Sequence, residues 1–219
     1  MHDVEAWLLE GRPKVYVQLA TAAATEGDAV LRRWHALGAS AAERLGAEQI
    51  VVDVRTRADA DDARWVDAVA GAGLIYLSGG KPSYLAETLR GTSVWQAIVD
   101  AWRAGASLAG CSAGAMVLGG HIPDYRHPRS GGTPGLGVVP GISVLPHFDR
   151  YSKWMPDLAL RPLAKRSPHV LGIDEDTALV SDAGLAALRT WHVMGRQSVY
   201  AVTADGRRPI RQIDLEVTQ

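Results

Sequence analysis

The chain has a single cysteine in 219 residues. That excludes an internal disulfide and a cysteine-ligated zinc site. It has no excess of either charge: 23 Lys+Arg stand against 24 Asp+Glu, for a net charge of −1. Nucleic acid and an anionic membrane surface are therefore not expected partners. No stretch approaches the ~18 consecutive apolar residues that cross a bilayer as a helix. Residues Met1 to Lys14 carry no basic segment ahead of their short apolar run, Ala6 to Leu9. No secretory leader is expected, and the expected location is the cytoplasm.

What is present is ordinary for a globular protein: 47% hydrophobic and 21% charged residues. The length suits one α/β domain over residues 1–219. Lys14 to Ala23 reads as a buried strand. Val30, Leu31, Trp34 and Leu37 then recur at helical spacing, and Gly38 is the expected stop. Gln49 to Val54 reads as a second strand, and residues 58–73 as a helix with an acidic start and a glycine end. Leu74 to Gly80 is a third strand running into a glycine pair. Pro82 and Ser93 suit the starts of two helices, and Ala106 to Gly110 is a fourth strand.

Strands alternating with helices predict a mainly parallel sheet covered on both faces, a three-layer α/β fold. Ligands of such sheets sit at the C-terminal edge of the strands. Both glycine-rich turns, Gly79-Gly80 and Gly110 to Gly114, fall there. The second half is less regular. His121 to Gly135 reads as a long loop that closes over small substrates, His169 to Val180 as a strand pair around an acidic turn, and the tail as a hairpin at Asp205-Gly206.

Gly110-Cys111-Ser112-Ala113-Gly114 between a strand and a helix is the pattern of a nucleophile elbow. Small neighbours let the turn close without a clash. Its centre is Ser112; Cys111 is expected to point back into packing, where a lone thiol is inert. The N–H of Ala113 is the natural first oxyanion donor, with a second from Gly80 or, less readily, Gly79.

A serine hydroxyl needs a base, and the base needs an orienting group. Of seven histidines, His2 is terminal and His35 lies on a helix away from the edge. His147 follows a strand-like run and can face the edge, whereas His121 and His127 sit in the long loop. Glu175, between Asp174 and Asp176, and Asp124 are both candidates for the acid.

The segments YLSGGKPSYL, GCSAGAMVL, PGLGVVPGISVLPHFDR and LGIDEDTALV occur in an order and spacing similar to the dipeptidase E and cyanophycinase family of serine peptidases. The resemblance runs from the first strand to about Val180. It implies a class I glutamine amidotransferase-like (flavodoxin-like) fold with the nucleophile elbow after a central strand. It implies Ser112 as nucleophile, His147 as general base and Glu175 as its partner, with Asp124 matching the acid of some dipeptidase E descriptions. It further implies a small peptide substrate, aspartyl peptides among them, and no cofactor or metal. Lys81 departs from the family's usual residue after Gly-Gly; it and Arg150 are candidates for binding an anionic substrate group. A monomer or homodimer is expected.

Three other readings stay open on the sequence. An esterase or amidase would use the same elbow. A non-catalytic binding or sensor protein could keep the fold. A cysteine-dependent amidotransferase would need Cys111, which is off-centre. Gly135, Gly137 and Gly141 lack dinucleotide-binding spacing, and His121 and His127 have no third metal ligand.

Overall fold

A computed structural model describes residues 2–124, 131–152, 157–181 and 188–217. The chain divides into two compact units, His2–Gly114 and Ala115–Gln219. Among the described residues no helix is long and apolar enough to cross a membrane. His127, one of the loop histidines, lies outside the described residues.

The first unit alternates strands and helices: α1 (His2–Leu8), β1 (Val15–Leu19), α2 (Asp28–Leu45), β2 (Glu48–Val51), α3 (Ala63–Val69), β3 (Leu74–Leu77), α4 (Pro82–Leu89), α5 (Ser93–Arg103) and β4 (Ser107–Gly110). The strands form one sheet in the order β2-β1-β3-β4, parallel throughout. This is the mixed α/β architecture with a parallel sheet that the alternation predicts. Leu74, Ile75 and Leu77 are fully buried, each contributing about 1.5–3 kcal/mol of burial. Because the strands run parallel, β1, β3 and β4 all deliver the chain to one edge. There β1 passes into a 3₁₀ turn, Thr21–Glu26, so this strand is shorter than the sequence suggests.

Two helix ends differ from expectation. Gly38 does not stop α2, which continues to Leu45 and is closed by Gly46 in the left-handed region. The glycine is there for space: a Cβ at Gly38 would overlap the side-chain amide of Gln18. Helix α5 begins at Ser93, but its cap is Thr92, whose hydroxyl accepts from the Trp95 N–H.

Helix α6 (Ala113–Leu118) follows β4. The second unit then contains β5 (His121–Ile122), β6 (Thr133–Pro134), β7 (Ile142–Leu145), α7 (Phe148–Ser152), α8 (Asp157–Ala164), β8 (His169–Ile173), β9 (Thr177–Ser181), β10 (Leu188–Gly195), β11 (Val199–Thr203), β12 (Gly206–Ile210) and β13 (Gln212–Glu216). The segment expected as a plain loop carries an antiparallel bridge, β5 to β6. β7 and β8 are parallel, while β11 and β12 extend that sheet antiparallel as the expected tail hairpin, Thr203 opposite Gly206. Strands β8 and β9 are not a pair. β9 belongs to a separate antiparallel sheet, β13-β10-β9, so the acidic turn between them is where the chain leaves one sheet for the other. Periodicity marks both strands but is silent on their partners.

Candidate active site

In the first unit the residues of interest gather on the C-terminal edge of the parallel sheet. Ser112 follows β4 with φ +50°, a left-handed backbone that a non-glycine residue adopts only where its surroundings impose it. The turn is built from both sides. Cys111 N–H donates to the Leu77 carbonyl (3.0 Å) and Gly114 N–H to the Cys111 carbonyl (2.8 Å). A Cβ at Gly114 would overlap that same Leu77 carbonyl, so only glycine lets α6 start this close to β3. Ala113 is fully buried.

The Cys111 thiol turns inward beside the Tyr76 hydroxyl. Burial pushes its pKa up, against hydrogen bonds with Tyr76 and the Gly79 backbone that pull the other way. Burial raises the Tyr76 and Tyr16 hydroxyls as well, and their rings stack at 5.7 Å.

The glycine pair sits at the end of β3. Gly79 is buried and Gly80 exposed. Gly80 has φ +141°, and a Cβ there would overlap the Ala22 backbone. Lys81 is exposed at the start of α4, and its N–H donates to the Ala22 carbonyl (2.7 Å).

In the second unit His147 follows β7, also in the left-handed region with φ +54°. Its Nδ1 lies 2.7 Å from Oε1 of Glu175. A carboxylate only accepts, so Nδ1 carries the proton and the imidazole is fixed in that tautomer. The two side chains are 35% and 32% exposed, half-buried and in reach of solvent.

Glu175 is held at both backbone ends. Its N–H donates to Asp149 Oδ1 (3.0 Å), and its carbonyl accepts from Gln197 Nε2 (2.9 Å) and Thr177 Oγ1 (3.1 Å). Arg150 Nε stands 3.2 Å from the same Oε1 that His147 uses, with the arginine side chain 72% exposed. The three consecutive acids of the turn have separate tasks. Glu175 meets His147. Asp174 is buried and accepts from the Ser198 N–H (3.2 Å), and burial raises its pKa. Asp176 is exposed with φ +52°. This is the acidic turn that the sequence suggests, and it separates Glu175 from its neighbours.

The other histidines fall elsewhere. His121 Nδ1 is 3.2 Å from Ser143 Oγ and its Nε2 2.8 Å from the Gly131 carbonyl, which occupies both ring nitrogens with β-structure contacts. His192 lies within β10 and His35 within α2. Asp124 ends a described segment, and the carboxylate on His147 is that of Glu175. Sequence reasoning missed Asp149 and Gln197. Only pairings across 26 and 22 positions show their part, and no local pattern encodes them.

The model of peptidase family S51 matches residues 23–188, and the chain belongs to that family. It is 30% identical over 181 residues to the cyanophycinase of Nostoc sp. (strain PCC 7120 / SAG 25.82 / UTEX 2576), covering 78% of this chain and 58% of that one. It is 31% identical over 151 residues to the cyanophycinase of Geminocystis herdmanii, covering 62% and 53%. The chain thus spans little more than half the length of these curated relatives. Among solved structures, a peptidase from an acI-B1 Actinobacterium matches 97% of this chain and 90% of its own, with 39% identity and a TM-score of 0.86. A putative peptidase E protein from Listeria monocytogenes EGD-e shares the fold, with a TM-score of 0.60 at 16% identity over 96% of this chain and 93% of its own.

Proposed function

We propose that the protein is a serine hydrolase that cuts the amide bond of small peptides, as a dipeptidase E-like exopeptidase that accepts aspartyl peptides. The observation that carries this reading is the 2.7 Å pairing of His147 with Glu175 in a chain of peptidase family S51. In this reading the turn at Ser112 is a nucleophile elbow of the glutamine amidotransferase-like kind, and residues 1–219 serve as one functional domain.

Ser112 Oγ attacks the scissile carbonyl carbon. Its proton passes to His147 Nε2 and from there to the leaving amine, so the first product departs and an acyl-enzyme remains. His147 then takes a proton from water, whose oxygen attacks the acyl carbonyl, and returns it to Ser112 Oγ. Glu175 holds the tautomer that makes Nε2 the acceptor and stabilises the imidazolium formed in each half. The N–H groups of Ala113 and Gly80 are the oxyanion donors, each worth on the order of 3 kcal/mol. Gly80 is favoured over Gly79, whose backbone is engaged with the Cys111 thiol. No step calls on a metal or cofactor. Arg150 and Lys81, both exposed cations, are assigned to a carboxylate of the substrate. The enzyme works in the cytoplasm as a monomer or homodimer.

The test is turnover of a mixed dipeptide pool, α- and β-aspartyl members included, followed by mass spectrometry beside Ser112→Ala. Loss of particular dipeptides with the wild-type protein alone is the expected result. Identical traces for the two proteins would refute the peptidase reading.

A further inference from the structure

The sheet of the first unit contains a polar side chain where an apolar one would ordinarily sit. Gln18, in the middle of the β1 sequence VYVQL, is 1% exposed. Its amide is fully used. Nε2 donates to the Trp34 carbonyl (2.9 Å) and to Ser78 Oγ (3.1 Å), while Oε1 accepts from Gln49 Nε2 (2.9 Å). Gln49 Nε2 also donates to the His35 carbonyl (2.9 Å). The partners fix which end of the amide is which, since the Trp34 carbonyl can only accept. Gly38 supplies the space for this side chain beneath α2. A buried polar network is costly unless every member is satisfied, so its presence in a strand core calls for a purpose.

What the network joins suggests that purpose. Ser78 is fully buried, and its N–H donates to the Leu19 carbonyl (2.8 Å). It directly precedes Gly79 and Gly80. A Cβ placed on Gly79 would lie 3.0 Å from Cζ2 of Trp34 and 3.3 Å from Cβ of Ser112. The Trp34 indole and the Ser112 side chain therefore flank Gly79, and Gln18 binds the backbone of the first and the residue before the second's neighbour. One amide ties the indole-bearing turn of α2 to the strand end that passes Ser112.

We propose that Gln18 is a positioning residue for the reaction, setting the Gly79–Gly80 backbone and the Trp34 indole against Ser112 through its two donated hydrogen bonds. This rests on the serine-hydrolase reading above. Gln18 touches no reacting atom; it acts through Ser78 and Trp34. A network whose only role is to hold α2 on the sheet would leave the Gly79–Gly80 segment indifferent to its loss.

The experiment compares wild type, Gln18→Glu and Ser78→Ala. Gln18→Glu keeps the shape and the acceptor for Gln49 but removes the two-donor NH₂ group, leaving at most one O–H, so the two donations can no longer both be made. Ser78→Ala removes one hydroxyl and leaves Gln18 in place. Competent sites are counted with a serine-reactive fluorophosphonate, kcat and KM are measured on a dipeptide the wild type cleaves, and hydrogen–deuterium exchange is followed across 78–81. The expected result is a fall in kcat per competent site of about tenfold or more with KM within about twofold. Exchange at 78–81 should rise at least as much, with β2 unchanged. Wild-type kcat per site, or unaltered exchange at 78–81, would overturn the inference while the peptidase reading stands. Should Gln18→Glu fail to fold, Ser78→Ala decides alone by the same criteria. A wild-type protein with no Ser112-dependent turnover would sink the catalytic reading and the positioning role with it.

Discussion

His147 and Glu175 are joined twice over: Nδ1 lies 2.7 Å from Oε1, and the residues just after the histidine grip the same glutamate, Asp149 at its N–H and Arg150 at its carboxylate. The histidine therefore arrives with its own means of placing the glutamate. Phe148, between them, is buried against the β8 strand at Gly172, where a Cβ would overlap its ring. The segment 147–150 is thus fixed in rotation as well as position.

Glu175→Gln keeps the size of the side chain but presents a neutral amide to Nδ1. The tautomer is then no longer enforced and the imidazolium loses its counter-charge. Steady-state assay should show kcat lower by roughly three to four orders of magnitude, with KM little altered. A variant with more than half the wild-type kcat would remove Glu175 from the mechanism.

In the proposed mechanism Asp149 positions Glu175, and the property this requires is one acceptor oxygen facing the Glu175 N–H. Asp149→Asn retains that oxygen and Asp149→Ala does not. The asparagine variant should keep most of the activity. The alanine variant should lose several-fold in kcat and about 1 kcal/mol of stability by urea denaturation. Equal loss in both would mean that charge, not the hydrogen bond, is what matters.

Cys111 stands next to Ser112, the proposed nucleophile, in sequence but inward in space, and burial raises its pKa. At neutral pH it is a thiol. Iodoacetamide should modify native protein roughly tenfold or more slowly than a small thiol, and dipeptide turnover should persist until modification occurs. Rapid alkylation with parallel loss of activity would revive a cysteine mechanism.

Burial also raises Asp174, so the folded chain holds its proton more tightly than the unfolded chain does. The folded state therefore gains from this residue while it is protonated. That gain disappears as pH climbs from the ordinary aspartate range, about 3.9, through the raised value. Urea midpoints across acidic pH should fall less steeply in Asp174→Asn than in wild type. Parallel curves would show that Asp174 is not coupled to folding.

Much of this was legible in the residues themselves. Strand–helix alternation gives the parallel sheet, because the period switches between 2 and 3.6 are local. Gly114 foretells the close start of α6, because a Cβ there would overlap the Leu77 carbonyl. What stayed hidden depends on pairing across long separations. Nothing near Gln18 announces Ser78, 60 positions away. Gly38 reads as a helix stop because its reason, the Gln18 amide, lies on another element. The different sheets of β8 and β9 are equally invisible, since each strand looks the same whichever neighbour it takes.

The turn that carries Glu175 is braced by residues 196–198: Arg196 N–H on the Asp176 carbonyl, Gln197 on Thr177 and Glu175, and Ser198 exchanging bonds with Asp174. The family-matched segment ends at residue 188. A chimera spliced at that boundary would inherit all three candidate catalytic side chains and leave the brace of the Glu175 turn behind. A minimal graft of the Glu175 turn therefore has to include the β10–β11 turn and run past Ser198.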